Sequence, residues 1–153
     1  MIFETSSPEE TRALGERLGR VLEAGDVVAL EGELGAGKTC FVQGLARGAG
    51  VPAERRISSP TFTIVNEHRG RFALYHVDLY RLEEARELEE VGLREYLEGG
   101  GVAVVEWFDR FPDWKPPDRI DLKITITGDE SRRIEAQASG ASSAARLSQW
   151  EKP

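Results

Sequence analysis

Gly32-Glu33-Leu34-Gly35-Ala36-Gly37-Lys38-Thr39 follows the apolar run Val27-Val28-Ala29-Leu30 and precedes a stretch in which Phe41, Val42, Leu45 and Ala49 share one helical face. Strand, glycine-rich loop, helix is the context in which the phosphate-cradling pattern G-x-x-x-x-G-K-[ST] carries meaning, and every fixed position of it is filled. The glycines let the backbone turn so that successive N–H groups point inward at phosphate oxygens, and the helix that follows adds its positive N-terminal end. In that cradle Gly32, Glu33, Leu34, Gly35, Ala36, Gly37 and Cys40 are candidate backbone contacts. Lys38 would reach the β- and γ-phosphates, and the Thr39 hydroxyl would hold Mg²⁺. The stretch predicts an α/β domain of P-loop type, three layers deep, with a mixed, mainly parallel central sheet.

The flanking sequence fits that architecture. Ser7-Pro8-Glu9-Glu10 reads as a capped helix start, with Leu14, Leu18, Val21 and Leu22 at helical spacing before Gly25. Downstream, 61–67 and 72–79 read as a β-hairpin around the turn His68-Arg69-Gly70-Arg71. Residues 83–98 predict one charged helix with Leu88, Val91 and Leu97 on its buried edge, ended by Gly99-Gly100-Gly101. A buried strand follows over 101–107, then a proline-rich loop. Ile120-Leu122-Ile124-Ile126 alternates as a strand, and a turn at 128–131 leads to a last strand around Ile134. The reading is one domain over 1–136 and an Ala/Ser-rich tail over 137–153, in which Ala144, Leu147 and Trp150 suit a short helix or a frayed end.

Composition removes several classes of function. With 153 residues the chain is long enough for one self-sufficient core. Its single cysteine, Cys40, excludes an intrachain disulfide, and no apolar run approaches the ~20 residues of a membrane-spanning helix. The absence of a secretion-signal pattern at the N-terminus gives a cytoplasmic expectation. A net charge of −7 argues against a protein that grips nucleic acid by neutralising phosphates, and residues 83–98 hold seven glutamates against two arginines.

A phosphate cradle says nucleotide but not reaction, so an acidic partner is sought at the end of another buried strand. Glu106 directly follows Val102-Ala103-Val104-Val105, and Asp78 ends the segment carrying Phe72, Leu74 and His76. Metal coordination and water positioning are the functional readings of these carboxylates; a solvated strand end is the plain one. Ser58-Ser59-Pro60-Thr61-Phe62-Thr63 carries hydroxyls suited to sensing a γ-phosphate through Thr61 or Thr63, or is an ordinary turn. His68 and His76 are too few and too poorly placed relative to Cys40 for a metal site and read as structural. Trp107 either packs in the core or covers the nucleotide.

Gly-Glu-Leu-Gly-Ala-Gly-Lys-Thr (32–39), Ser-Pro-Thr-Phe-Thr (59–63), His-Val-Asp-Leu-Tyr-Arg-Leu (76–82) and Val-Glu-Trp (105–107) stand in the order and spacing of the bacterial TsaE family, formerly YjeE, and over about 7–135 the chain resembles that family. The resemblance implies a single P-loop domain that binds ATP with Mg²⁺, docks on the TsaD–TsaB pair and hydrolyses ATP to reset or activate that pair; the lack of an arginine finger within the loop adds the expectation that the isolated chain hydrolyses ATP slowly until its partner completes the site. This would serve synthesis of threonylcarbamoyladenosine in tRNA, with no direct tRNA contact required. Position by position it implies Lys38 and Thr39 for phosphate and Mg²⁺, Glu106 for the metal, Asp78 for metal or catalytic water, Thr61 for a switch-like loop, and Arg132 near the base. Cys40 departs from the threonine common there, and Phe108-Asp109 departs from the usual sequel to Trp107.

Three other readings compete. A GTPase would need an Asn-Lys-x-Asp segment, which the chain lacks. A small-molecule or nucleotide kinase needs an acceptor pocket and an arginine-bearing lid; no insertion of that kind is apparent over 99–136, though Arg110, Arg132 and Arg133 keep it open. A binding module would use ATP only to order 58–63 for a partner.

Overall fold

The computed structural model describes residues 1–33, 35–60 and 64–152, so the sequence-based expectations for Leu34, Thr61 and Thr63 lie outside the described residues. Seven strands form one sheet in the order β1-β7-β6-β2-β5-β4-β3. They are β1 (Ile2–Thr5), β2 (Val27–Gly32), β3 (Val65–Arg69), β4 (Ala73–Asp78), β5 (Val102–Glu106), β6 (Arg119–Ile126) and β7 (Arg132–Ser139). β6, β2, β5 and β4 are parallel neighbours, and β3 and β7 run against them at the two hairpins. The sheet is therefore mixed and mainly parallel in strand direction.

β2 and β5 read as unbroken apolar runs because both their faces are covered. Alternate residues enter two cores. Val28, Leu30, Leu74, Val102 and Val104 meet α1 (Pro8–Val21) and α2 (Lys38–Gly48), whereas Val27, Ala29, Val77, Ala103 and Val105 meet α3 (Ala85–Glu90) and α4 (Leu93–Glu98). By the same period of two, His76 and Asp78 follow Leu74, and Glu106 follows Val104, onto the α2 face.

α1 begins as its sequence predicts: Ser7 caps it, accepting from the Glu10 N–H at 3.1 Å. It lies unusually close to α2. A Cβ added at Gly15 or Gly19 would overlap the α2 backbone at Phe41 and Leu45, and one at Gly44 or Gly48 would overlap the α1 backbone at Arg12 and Glu16. Two glycines, four residues apart on each helix, thus set the depth at which α2 sits and hence where the loop before it lies.

Two elements depart from the sequence-based reading, and in a third the helical alternative is the one adopted. The predicted single helix over 83–98 is two short ones, because Gly92 takes φ +76° between α3 and α4 and Leu93 turns into the core. β1, unread in the sequence, adds an antiparallel edge to β7. Stretch 137–153 starts inside β7 and continues as α5 (Ala141–Glu151), whose Leu147 and Trp150 are buried against α1 and α2. Among the described residues no helix is long and apolar enough to cross a membrane.

Candidate functional site

The loop between β2 and α2 turns through Gly35 and Gly37, at φ +81° and +99°, a region costly for any residue with a side chain. These two positions need glycine, and they bend the chain so that α2 opens onto the C-terminal ends of β2, β5 and β4. At those ends the sheet register puts Glu106 beside Leu30 on one side and Asp78 on the other.

Lys38 is 7% exposed and folds back over the loop. Its Nζ donates to the Gly32 carbonyl at 2.7 Å, lies 3.5 Å from Glu106 Oε1, and sits 4.5 Å from the centre of the Trp107 ring. Glu106, 3% exposed, has its other oxygen 2.5 Å from Nε2 of the fully buried His76. A carboxylate here is held between two cationic or N–H partners instead of facing solvent. Asp78, also buried, accepts from the Tyr80 N–H at 2.9 Å through Oδ1 and from the Ser59 hydroxyl at 3.4 Å through Oδ2. The connector that carries Ser59 is thereby tied to the strand end.

Trp107 adopts φ +63°, outside the range natural to an aromatic residue. That bend turns the chain out of β5 and lays the ring over Lys38, with Tyr80 at 5.0 Å and the Arg110 guanidinium at 5.5 Å on its other contacts. The ring also packs against the core that holds Val105 and Phe108, the first of the two alternatives read from the sequence, while lying over Lys38.

Two clefts flank the loop. One, of about 460 Å³, is shared by Thr39 with Arg12, Arg47, Arg55 and Arg56, and no carboxylate lines it among the described residues. In a chain of net charge −7 that is a local reversal of sign, fitted to an anion. The other, of about 610 Å³, runs beneath Trp107 past Glu31, Ile124 and Ile126. Burial, then the neighbouring Asp109, pushes the Glu31 carboxyl above its ordinary range.

The structure brings together Gly32, Lys38 and Glu106, with Asp78 in register beside Glu106, and puts Thr39 in the wall of the arginine-lined cleft along with Ser59, the residue bonded to Asp78. Cys40, in the first turn of α2, has its Sγ 3.9 Å from the Arg12 guanidinium. Arg132 lies against the outside of the loop, where Nε donates to the Ala36 carbonyl at 2.8 Å and NH2 to that of Gly35 at 3.3 Å; its guanidinium braces the cradle. Arg110 stacks on Trp107 and Tyr80, and Arg133 pairs with Glu4 at the sheet edge, so neither reaches over the loop as a lid. His76, read from sequence as structural, is bonded to the candidate ligand Glu106, a contact that reading did not anticipate. Its signal was there: in the alternation Leu74-His76-Asp78 a histidine shares the face of a candidate ligand.

The donor set suits a hard divalent cation. A threonine hydroxyl and two adjacent buried carboxylates supply oxygen only. Among the described residues no cluster of three or more His, Cys, Asp or Glu makes a closed cage. Mg²⁺ is commonly bound in this way, by one or two carboxylates with the remaining positions left to phosphate and water.

A mixed, mainly parallel sheet in which a buried strand leads through a glycine loop into a helix, with a lysine and an acidic strand end converging on the loop, defines an α/β protein of the P-loop type. The family described as Threonylcarbamoyl adenosine biosynthesis protein TsaE matches residues 5–134, and the chain belongs to that family. Among its relatives, the tRNA threonylcarbamoyladenosine biosynthesis protein TsaE of Bacillus subtilis (strain 168) is 43% identical over 139 residues, 90% of this chain and 85% of that one. The protein of the same description from Treponema pallidum (strain Nichols) is 42% identical over 128 residues, 84% and 93% of the two chains. The crystal structure of Bacillus subtilis YdiB superposes with a TM-score of 0.86 at 35% identity, covering 99% of this chain and 94% of that one.

Proposed function

We propose that this protein binds ATP with Mg²⁺ and hydrolyses it in the cytoplasm, as a component of the machinery that makes threonylcarbamoyladenosine in tRNA. The observation that carries the reading is the convergence of Lys38 and Glu106 at the loop, with Asp78 in register beside Glu106. Arriving phosphates would draw Lys38 Nζ from the Gly32 carbonyl and from Glu106, since a triphosphate offers it more charge than either. The backbone N–H groups of 35–39 would hold the phosphate chain. Thr39 and Glu106, freed of the lysine, would hold Mg²⁺, which supplies charge neutralisation on the phosphoryl oxygens. Asp78, its oxygens already oriented by the Tyr80 N–H and the Ser59 hydroxyl, would place the attacking water. Arg110 is held on Trp107 and Tyr80 and Arg133 is paired with Glu4, so neither serves as an arginine finger over the loop; turnover by the isolated chain is slow and a docked TsaD–TsaB pair accelerates it.

The test is phosphate release and calorimetric nucleotide binding. Lys38→Ala removes nucleotide affinity without unfolding the domain; Glu106→Ala retains nucleotide but loses Mg²⁺-dependent turnover. Free phosphate appears faster when TsaD and TsaB are added. An isolated chain as fast as the assembled one, or GTP bound as tightly as ATP, overturns the reading. One observation favours a second reading, small-molecule phosphotransfer: the arginine-lined cleft opens beside Thr39, where an anionic acceptor would lie. A phosphorylated small molecule in place of free phosphate would establish it.

A further inference from the structure

We infer that His76 is a positioning residue for Glu106, holding one oxygen of the carboxylate so that only the other faces the nucleotide site. The inference rests on the Mg²⁺–ATP reading above and adds a residue to it.

His76 is fully buried in β4, where it pairs with Val104, two register positions before Glu106 and on the same face of the sheet. Its Nε2 lies 2.5 Å from Glu106 Oε2, while Glu106 Oε1 is the oxygen 3.5 Å from Lys38 Nζ. A carboxylate only accepts, so Nε2 carries the proton and donates. The other ring nitrogen, Nδ1, is buried without a hydrogen-bond partner among the described residues. An apolar side chain would fill this position in β4 without leaving a nitrogen unpaired, so packing does not account for a histidine; the bond to Glu106 does.

The consequence is a division of labour between the two oxygens. With Oε2 fixed from beneath, the carboxylate cannot rotate to chelate with both oxygens or swing away toward Asp78. Oε1 alone is offered upward, to Lys38 in the empty site and to Mg²⁺ or its water when nucleotide draws the lysine away. Residues that orient a metal ligand through a hydrogen bond typically change metal affinity about 10–100-fold when lost.

His76→Phe keeps a ring of similar size and removes the donor. His76→Gln restores an N–H near the position of Nε2. Two measurements separate positioning from packing: nucleotide affinity in EDTA, by calorimetry, and Mn²⁺ affinity of the nucleotide-loaded protein, by electron paramagnetic resonance. In His76→Phe the metal-free nucleotide affinity is unchanged and Mn²⁺ binding weakens about 10–100-fold, and His76→Gln recovers most of that loss. Should His76→Phe fail to fold, His76→Asn, whose amide stops short of Oε2, shows the same loss. Wild-type Mn²⁺ affinity in the donor-deleted variant, or equal loss in the glutamine variant, overturns the inference. A wild-type protein that binds nucleotide no differently with and without metal overturns the Mg²⁺–ATP reading, and this inference falls with it.

Discussion

The two histidines show how much a single side chain's surroundings decide. Both are buried, yet His76 spends its nitrogen on a carboxylate whereas both nitrogens of His68 lack a hydrogen-bond partner among the described residues. Burial first, then the positive charge of Arg55 and the proximity of His76, lowers the pKa of His68 below its ordinary 6.5. The sign of the resulting pH dependence follows from proton counts. Above pH 6.5 neither folded nor unfolded chain protonates this ring, and stability is at its full value. As pH falls through 6.5 the unfolded chain takes up a proton that the folded chain refuses, so stability declines until the lower, folded pKa is reached. Denaturant melts between pH 8 and 5 should show that decline, and His68→Leu should flatten the part of it due to this ring while leaving stability at pH 8 little changed, because an apolar group loses no hydrogen bond there. A slope unaltered by the substitution would assign the decline to other groups.

At the scale of elements, the fixed point is the α1–α2 contact. Phe41 and Leu45 face α1 through glycines, and the helix that carries Lys38 and Thr39 is seated by backbone contact rather than by interdigitating side chains. Gly44→Ala must therefore push the helices apart or distort one of them. Overpacking of this kind costs about 1–3 kcal/mol; here it should also tilt the N-terminus of α2, so nucleotide affinity falls together with the melting temperature. Val42→Ala, which removes volume from the same core, should lower the melting temperature with affinity retained. The cradle was legible in the sequence because it is a local pattern with fixed spacing, whereas the glycine pairs Gly15/Gly19 and Gly44/Gly48 were not read, since only the packing of α1 on α2 gives them a role. Glu106 was legible for a related reason: a charge that ends an unbroken apolar run has few places to go. The role of His76 was not, since it depends on the offset between β4 and β5, strands about thirty residues apart whose register no local pattern records. The break at Gly92 was hidden by the charges around it. Glycine inside a helical pattern is tolerated often enough to be passed over, and only the turn of Leu93 into the second core requires the positive φ seen there.

For the whole molecule, the two cores are closed by different means. The core facing α3 and α4 is capped by short helices and the two turns after Trp107, near the strand ends that form the site. The larger core is closed by α5, from the stretch that looked least structured in sequence. Asp118 holds its first turn, accepting from the Ser142 and Ser143 N–H groups at 3.1 and 3.0 Å and from the Ser143 hydroxyl at 2.6 Å. Those bonds, the hydroxyl's first, keep the Asp118 carboxyl below its ordinary range. At the other end Trp150, 1% exposed, packs 4.5 Å from Phe3 and 6.2 Å from Phe41, and its indole N–H donates to the Leu14 carbonyl at 3.0 Å. One ring thus joins β1, α1 and α2. Trp150→Ala should cost about 3–5 kcal/mol, a large part of the roughly 5–15 kcal/mol that stabilises a domain. At about 2–4 °C per kcal/mol for a chain of this size, the melting temperature should drop by roughly 6–20 °C. Below that temperature nucleotide should still bind with near wild-type affinity, because the cradle is held by β2, by the backbone contact of α1 with α2 at the glycines, and by the Arg132 bonds to the Gly35 and Ala36 carbonyls, all of which remain when the Trp150 ring is removed. Differential scanning calorimetry with and without ATP and Mg²⁺ separates the two effects. A variant that melts early but gains the same increment from nucleotide as wild type supports α5 as a structural clasp; a lost increment would make Trp150, through Phe41, part of the site.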